Sequence, residues 1–177
     1  MRLILLRHGE TLWNIDQRLQ GHENSDLSPR GHQQALAFRP FVAALAPARV
    51  VASDLGRTRE TARLIGFPDA PTDQRLRELH MGAWTGRAKP ELIAKEGEAY
   101  AAWRAGTHVP EGGEVWTDFR ARVVDGLCDW MGRGPGDLLA VVHSGVVRAA
   151  LSGFLGLPPA HLVPITPGAA AILNFEE

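Results

Sequence analysis

A chain of 177 residues, 45% apolar and 22% charged, has the size and composition of one ordinary globular domain (residues 1–177) and not of a disordered or fibrous protein. Its formal charge of −1 gives no global attraction to nucleic acid or to an anionic membrane, so any bound anion must be held by a local cluster of charge. The single cysteine, Cys128, cannot form an intrachain disulfide, which points to a reducing compartment, and its apolar surroundings read as those of a small buried hydrophobe.

In chain order, Leu3–Leu6 is the first apolar run. It is too short for the core of a signal peptide and reads as a buried strand. No run approaches the roughly 18 apolar residues of a membrane span, so a soluble cytoplasmic protein is expected. Pro29-Arg30-Gly31 precedes a helical stretch from His32 to Leu45, closed by Pro47. Val50–Ala52 is a second strand, and Gly56–Ile65 is helical until Pro68 approaches. Pro90–Arg104 opens with proline in a first helical turn and ends near Gly106. Trp116, Phe119, Val123, Leu127 and Trp130 recur at a helical period within Val115–Met131. Leu138–Val142 is a third strand, a helix runs from His143 through Leu155, and Ala170–Phe175 is a last strand.

Strands alternating with helices predict an α/β fold, a three-layer sandwich with a mostly parallel central sheet flanked by helices. Ligands in such sheets bind outside the carboxyl ends of the strands. Those ends are followed by Arg7-His8-Gly9, by Ser53-Asp54-Leu55-Gly56-Arg57 and by His143-Ser144-Gly145. Two histidines and two arginines therefore gather on one rim, a costly arrangement unless an anion neutralises it.

These tracts carry a resemblance that spans nearly the whole chain. Leu6-Arg7-His8-Gly9-Glu10-Thr11 with Asn14, Arg18-Leu19-Gln20-Gly21, and Leu27-Ser28 with Gly31, Gln34 and Ala35 come first. Ser53–Arg57 with Thr61-Ala62, Leu76-Arg77-Glu78 with Gly82, Trp84 and Gly86, and Val142-His143-Ser144-Gly145 follow in order. The chain resembles the histidine phosphatase superfamily, the phosphoglycerate mutase-like family, in its small phosphatase branch. The resemblance implies phosphomonoester hydrolysis through a covalent phosphohistidine on His8, without metal or other cofactor.

It also implies roles. Arg7 and Arg57 supply guanidinium forks for phosphate oxygens, and His143 holds the phosphoryl group in flight. Glu78 is the general acid, because a carboxyl beside a phosphate dianion keeps its proton more readily. Ser144 opens a helix whose first amides favour an anion. Gln20, the backbone of Gly21 and Asn14 are candidate phosphate contacts, although Asn14 equally suits ordering the turn after His8. Gly9 is expected to let backbone approach the phosphate.

Trp13, Trp84, Trp103, Trp116 and Trp130 read as packing residues, with Trp13 able to border the pocket. His22, His32, His80, His108 and His161 lack metal-site spacing. Pro110–Glu114 reads as a structural loop. Asp26 stands where many relatives have proline, and a changed loop at the pocket mouth is expected there. Leu76–Gly86 with Pro110–Glu114 is loosely similar to phosphatases of glucosyl-3-phosphoglycerate.

Two alternatives stay open. A cofactor-primed phosphoglycerate mutase would use the same His8, but the chain is compact where mutases carry an insertion, and has Ser144-Gly145 where they have Gly-Asn. An inactive phospho-ligand binding module would have lost part of the core set, which is intact. The expected partner is a small-molecule phosphomonoester, with no nucleic acid or membrane, and the protein is expected as a monomer or homodimer.

Overall fold

The computed structural model describes residues 1–176; Glu177, the last residue of the expected domain, lies outside the described residues. Four strands form one sheet: β1 (Arg2–Arg7), β2 (Arg49–Ala52), β3 (Leu138–Val142) and β4 (Ala170–Asn174). Their spatial order is β2-β3-β1-β4. β3 runs parallel to both β1 and β2, and β4 pairs antiparallel with β1 at the edge. A buried central strand must be apolar on both faces, and every residue of β3 is buried.

Alternation along β1 divides the core. Leu3 and Leu5 face one layer, which holds helices α5 (Trp116–Met131) and α6 (Ser144–Leu155). Ile4 and Leu6 face the other, with Ala35 and Val42 of α2 (Pro29–Leu45) and Ala62 of α3 (Gly56–Leu64). The three-layer α/β sandwich read from the sequence is the observed one. A short helix, α1 (Leu12–Ile15), was not expected, and α4 (Lys89–Arg104) departs from helical geometry at Glu96, where φ is −138°. The helix expected from His32 starts at Pro29, because Ser28 caps it by accepting from the Gly31 amide at 3.0 Å.

One glycine has a packing reason besides the one expected. A Cβ on Gly9 would lie 2.5 Å from the carbonyl oxygen of Gly31, so the loop after β1 sits directly against the first turn of α2. Cys128 is corrected: it is exposed on α5, where partial desolvation and then the neighbouring Asp125 and Asp129 push its thiol pKa up.

The parallel strands deliver their carboxyl ends to one rim. The connection after β1 enters α2 on one face of the sheet and that after β3 enters α6 on the other, so a crevice opens between the ends of these neighbouring strands. That is the switch point at which open α/β sheets bind ligands.

Candidate active site

At that point the rings of His8 and His143 stand 5.3 Å apart, inclined at 65°. The backbone ladder continues one residue beyond β1, the His8 amide donating to Val142 at 3.0 Å. His8 Nδ1 lies 2.8 Å from the carbonyl oxygen of Gly9. A carbonyl can only accept, so Nδ1 carries the proton and Nε2 keeps its lone pair. Burial, then the positive charges of Arg57 and Arg7, hold the His8 pKa well below the ordinary imidazole value, against the opposing bond to Gly9. The ring is therefore neutral at pH 7.

His143 is fully buried, and its Nε2 lies 2.9 Å from the hydroxyl of Ser53. Burial and then Arg57, His8 and Arg7 depress its pKa in the same direction. Its Nδ1 is buried without a partner. If the Ser53 hydroxyl donates to Nε2, the proton is on Nδ1, ready for an incoming oxygen. The motif around Ser53 was legible in the sequence, but this residue was not singled out.

Arg7 donates to the carbonyl of Ile165, and its Nε is unpaired. Arg57 is buried; it donates to the carbonyls of Glu23 at 2.7 Å and Gly21 at 2.8 Å, and its Nε is likewise unpaired. Burial lowers its pKa to about 10, so it stays charged at neutral pH. Gly21 thus serves the site by positioning Arg57, in a left-handed turn (φ +54°) that glycine permits.

Glu78 arrives from a loop held by several anchors. Its carboxylate accepts from the Leu79 amide at 2.8 Å and from the Gly145 amide, in the first turn of α6, at 3.0 Å. Arg122 on α5 donates to the carbonyls of Arg75, Arg77 and Glu78 and forms an ion pair with Glu114. His22 donates to the Glu78 carbonyl at 2.9 Å, and Arg77 pairs with Asp54 just after β2. The loop Pro110–Glu114, read as structural, contributes Glu114 to this clamp.

Arg7, His8, Asn14, Gln20, Gly21, Arg57, Glu78 and Ser144 line one pocket. His143 sits behind them, against His8. Asn14 orders the turn: its side chain accepts from the Thr11 amide while Thr11 accepts from the Asn14 amide. Gln20 gives Nε2 to the Thr11 hydroxyl at 2.7 Å and leaves Oε1 unpaired. The Ser144 hydroxyl is also unpaired. Trp13 does not line the pocket but packs near Gly86, and Asp26 is exposed away from it. Trp103 and Trp116, read only as packing residues, do line it, with Lys89, Tyr100, Arg104 and Arg148. Sequence reasoning missed this outer group, although Tyr100, Trp103 and Arg104 sit at i, i+3 and i+4 of one helix. Among the described residues no group of three or more His, Cys, Asp or Glu side chains converges as a metal site, and no helix is long and apolar enough to cross a membrane.

The model of the histidine phosphatase superfamily (branch 1) matches residues 3–177. The glucosyl-3-phosphoglycerate phosphatase of Mycolicibacterium vanbaalenii is 36% identical over 169 residues, covering 89% of this chain and 75% of that one. The probable phosphoglycerate mutase GpmB of an Enterobacter species is also 36% identical, covering 89% and 76%. A solved structure of mycobacterial glucosyl-3-phosphoglycerate phosphatase in complex with VO3 superposes with a TM-score of 0.91 at 31% identity, covering 98% of this chain and 92% of that one. The chain belongs to the histidine phosphatase superfamily and is a phosphatase of that family.

Proposed function

We propose that the protein hydrolyses small phosphomonoesters in two in-line steps, with His8, His143, Glu78, Arg7 and Arg57 as its catalytic residues. The observation that carries this reading is the tautomer of His8: with Nδ1–H given to Gly9, Nε2 is free to act as nucleophile. The Nε2 lone pair attacks phosphorus and the ester P–O bond breaks. Glu78 passes its proton to the departing alcohol oxygen. Water then enters, gives a proton to the Glu78 carboxylate and attacks phosphorus. The P–N bond breaks, and neutral His8 and inorganic phosphate are regenerated.

Arg7, Arg57 and His143 Nδ1–H offset the charge on the equatorial oxygens, where phosphoryl transfer needs stabilisation most. Their unpaired N–H groups support this role. Ser144 and Gly21 belong to the phosphate cradle. Gln20 joins them if its amide turns over, so that Oε1 accepts the Thr11 hydroxyl and Nε2 faces the pocket. The intact histidines, arginines and carboxylate favour turnover over a passive binding module. The structural match to a phosphatase favours water over a sugar acid as final acceptor. The whole of residues 1–177 acts as one domain, as a monomer or homodimer, and the lone cysteine supports a reducing, cytoplasmic setting.

The test is to quench turnover of a labelled phosphomonoester. An alkali-stable, acid-labile phosphoenzyme mapping to His8 is expected, and none in His8→Ala. A label on serine or aspartate, or full activity in His8→Ala, overturns the mechanism.

A further inference from the structure

The peptide that joins Glu78 to Leu79 is held on both of its edges. Its carbonyl oxygen accepts from His22 Nε2 at 2.9 Å and from Arg122 at 3.0 Å. Its N–H donates to Oε1 of the Glu78 carboxylate at 2.8 Å. A trans peptide unit is planar, with its C=O and N–H on opposite sides. Donors that fix the oxygen therefore fix where the N–H points, and through it the carboxylate.

The two donors are not equivalent. Arg122 serves the loop as a whole, spreading its guanidinium over the carbonyls of Arg75, Arg77 and Glu78 and over the Glu114 carboxylate. His22 Nε2 has the Glu78 carbonyl as its one partner among the described residues. A carbonyl can only accept, so that nitrogen carries the proton. The ring that presents it is supported from the side, where the His80 ring stands at 4.8 Å and an inclination of 79°. His80 is itself tied down: its amide donates to Glu114 at 3.1 Å, and its Nδ1 lies 3.0 Å from the Gly112 carbonyl oxygen.

The backbone beneath His22 is fixed by Arg57. The carbonyls of Gly21 and Glu23, on either side of His22, accept from the Arg57 guanidinium at 2.8 Å and 2.7 Å. Asn24 Oδ1 accepts from the Arg57 amide at 3.0 Å. A Cβ on Gly56 would lie 2.6 Å from the Asn24 side chain, so this strap also lies directly on the first turn of α3. Residues 21–24 thus grip Arg57 from the backbone and the 78–79 peptide from one side chain.

We propose that His22 is a positioning residue for Glu78, setting the reach of the carboxyl group relative to the guanidinium of Arg57. His22 does not line the pocket and acts only through the 78–79 peptide. This role rests on the reading of Glu78 as the general acid.

The test removes the donor and then restores it. His22→Phe keeps a flat ring without an N–H, and His22→Gln returns an N–H near the place of Nε2. In His22→Phe, kcat/KM for glycerol 3-phosphate, whose alkoxide needs a proton, should fall roughly tenfold, the scale of one hydrogen bond. The loss should lie in kcat, because the carbonyls that hold Arg57 belong to the backbone and stay in place. Nitrophenyl phosphate should lose less than about threefold, which also reports that the variant is folded. His22→Ala removes the same donor without adding bulk at this half-buried place and should give the same pattern. His22→Gln should recover most of the loss on glycerol 3-phosphate. Added to Glu78→Gln, His22→Phe should cost nothing further on that substrate, since residues acting through one group are not additive. Equal losses on the two substrates in both His22→Phe and His22→Ala, no recovery in His22→Gln, or a full additional loss in the double variant overturns the role of His22. If Glu78→Gln alone harms both substrates equally, the general-acid assignment falls and this proposal with it. A leaving-group-dependent loss in Glu78→Gln without one in the His22 variants removes His22 alone.

Discussion

Gly145→Ala isolates the placement of the general acid from its presence. A Cβ built on Gly145 would lie 1.9 Å from Oε1 of Glu78 and 2.9 Å from its carboxyl carbon. To restore a 3.0 Å separation the carboxylate must retreat by roughly 1.1 Å, which breaks or lengthens its bond from the Gly145 amide. A misplacement of about 1 Å can cost 10²-fold where a reacting group must be aligned. The helical backbone at this position accepts alanine, so the fold should lose little. The loss should fall on substrates whose leaving oxygen needs a proton. We expect kcat/KM to drop about 10²-fold for an alkyl phosphate and less than tenfold for nitrophenyl phosphate, whose phenolate leaves unaided. Glu78→Gln sets the upper limit for the same pattern. Steady-state kinetics on both substrates and a thermal melt decide the matter. Equal losses on the two substrates would refute the reasoning, as would a drop in Tm large enough to account for lost activity.

Two further outcomes follow from the histidines. Ser53→Ala leaves His143 Nε2 without a partner, so the ring tautomer is no longer set; kcat should fall about tenfold or more with KM little changed, and an unaltered kcat would remove Ser53 from the mechanism. His8 and His143 have folded-state pKa values depressed by burial and the arginines, so below pH 6.5 the unfolded chain binds protons that the folded chain refuses. Stability is therefore lost as pH falls from 6.5 toward 5, by up to about 1.4 kcal/mol per pH unit for each ring. Melting curves of the wild type should show this slope, and His143→Asn should flatten it; parallel slopes would show that the buried rings are not its source.

The inner site was legible because its parts are contiguous motifs at strand ends. Arg7-His8 follows Leu3–Leu6, His143-Ser144 follows Leu138–Val142, and Ser53–Arg57 follows Val50–Ala52. An apolar run too short to be a helix fixes a strand, a parallel sheet fixes which end faces the ligand, and the polar residues beyond it are then placed with no side-chain detail. Glu78 was reachable only through the family resemblance. Its position depends on Arg122, His22 and the Arg77–Asp54 pair, which tie distant segments together and leave no periodic trace.

The outer site failed for a different reason. Tyr100, Trp103 and Arg104 lie beyond the break at Glu96, so a helical wheel drawn from Pro90 assigns them the wrong face. The glycine that follows, Gly97, has nothing within 4 Å of a would-be Cβ, so packing does not demand it, and its backbone freedom suits the break. Arg148 and Trp116 were hidden differently. Both sit among apolar neighbours on α6 and α5, where hydrophobic periodicity records only that a face is buried. Periodicity cannot distinguish a face buried against the sheet from one that borders a polar pocket. The distinction appears only when donors are matched with acceptors, and there Arg148 and the two indoles stand out. The candidate groups at strand ends are thus read from the order of the sequence, whereas the polar atoms of the outer wall are read from unmet hydrogen bonds in the folded chain.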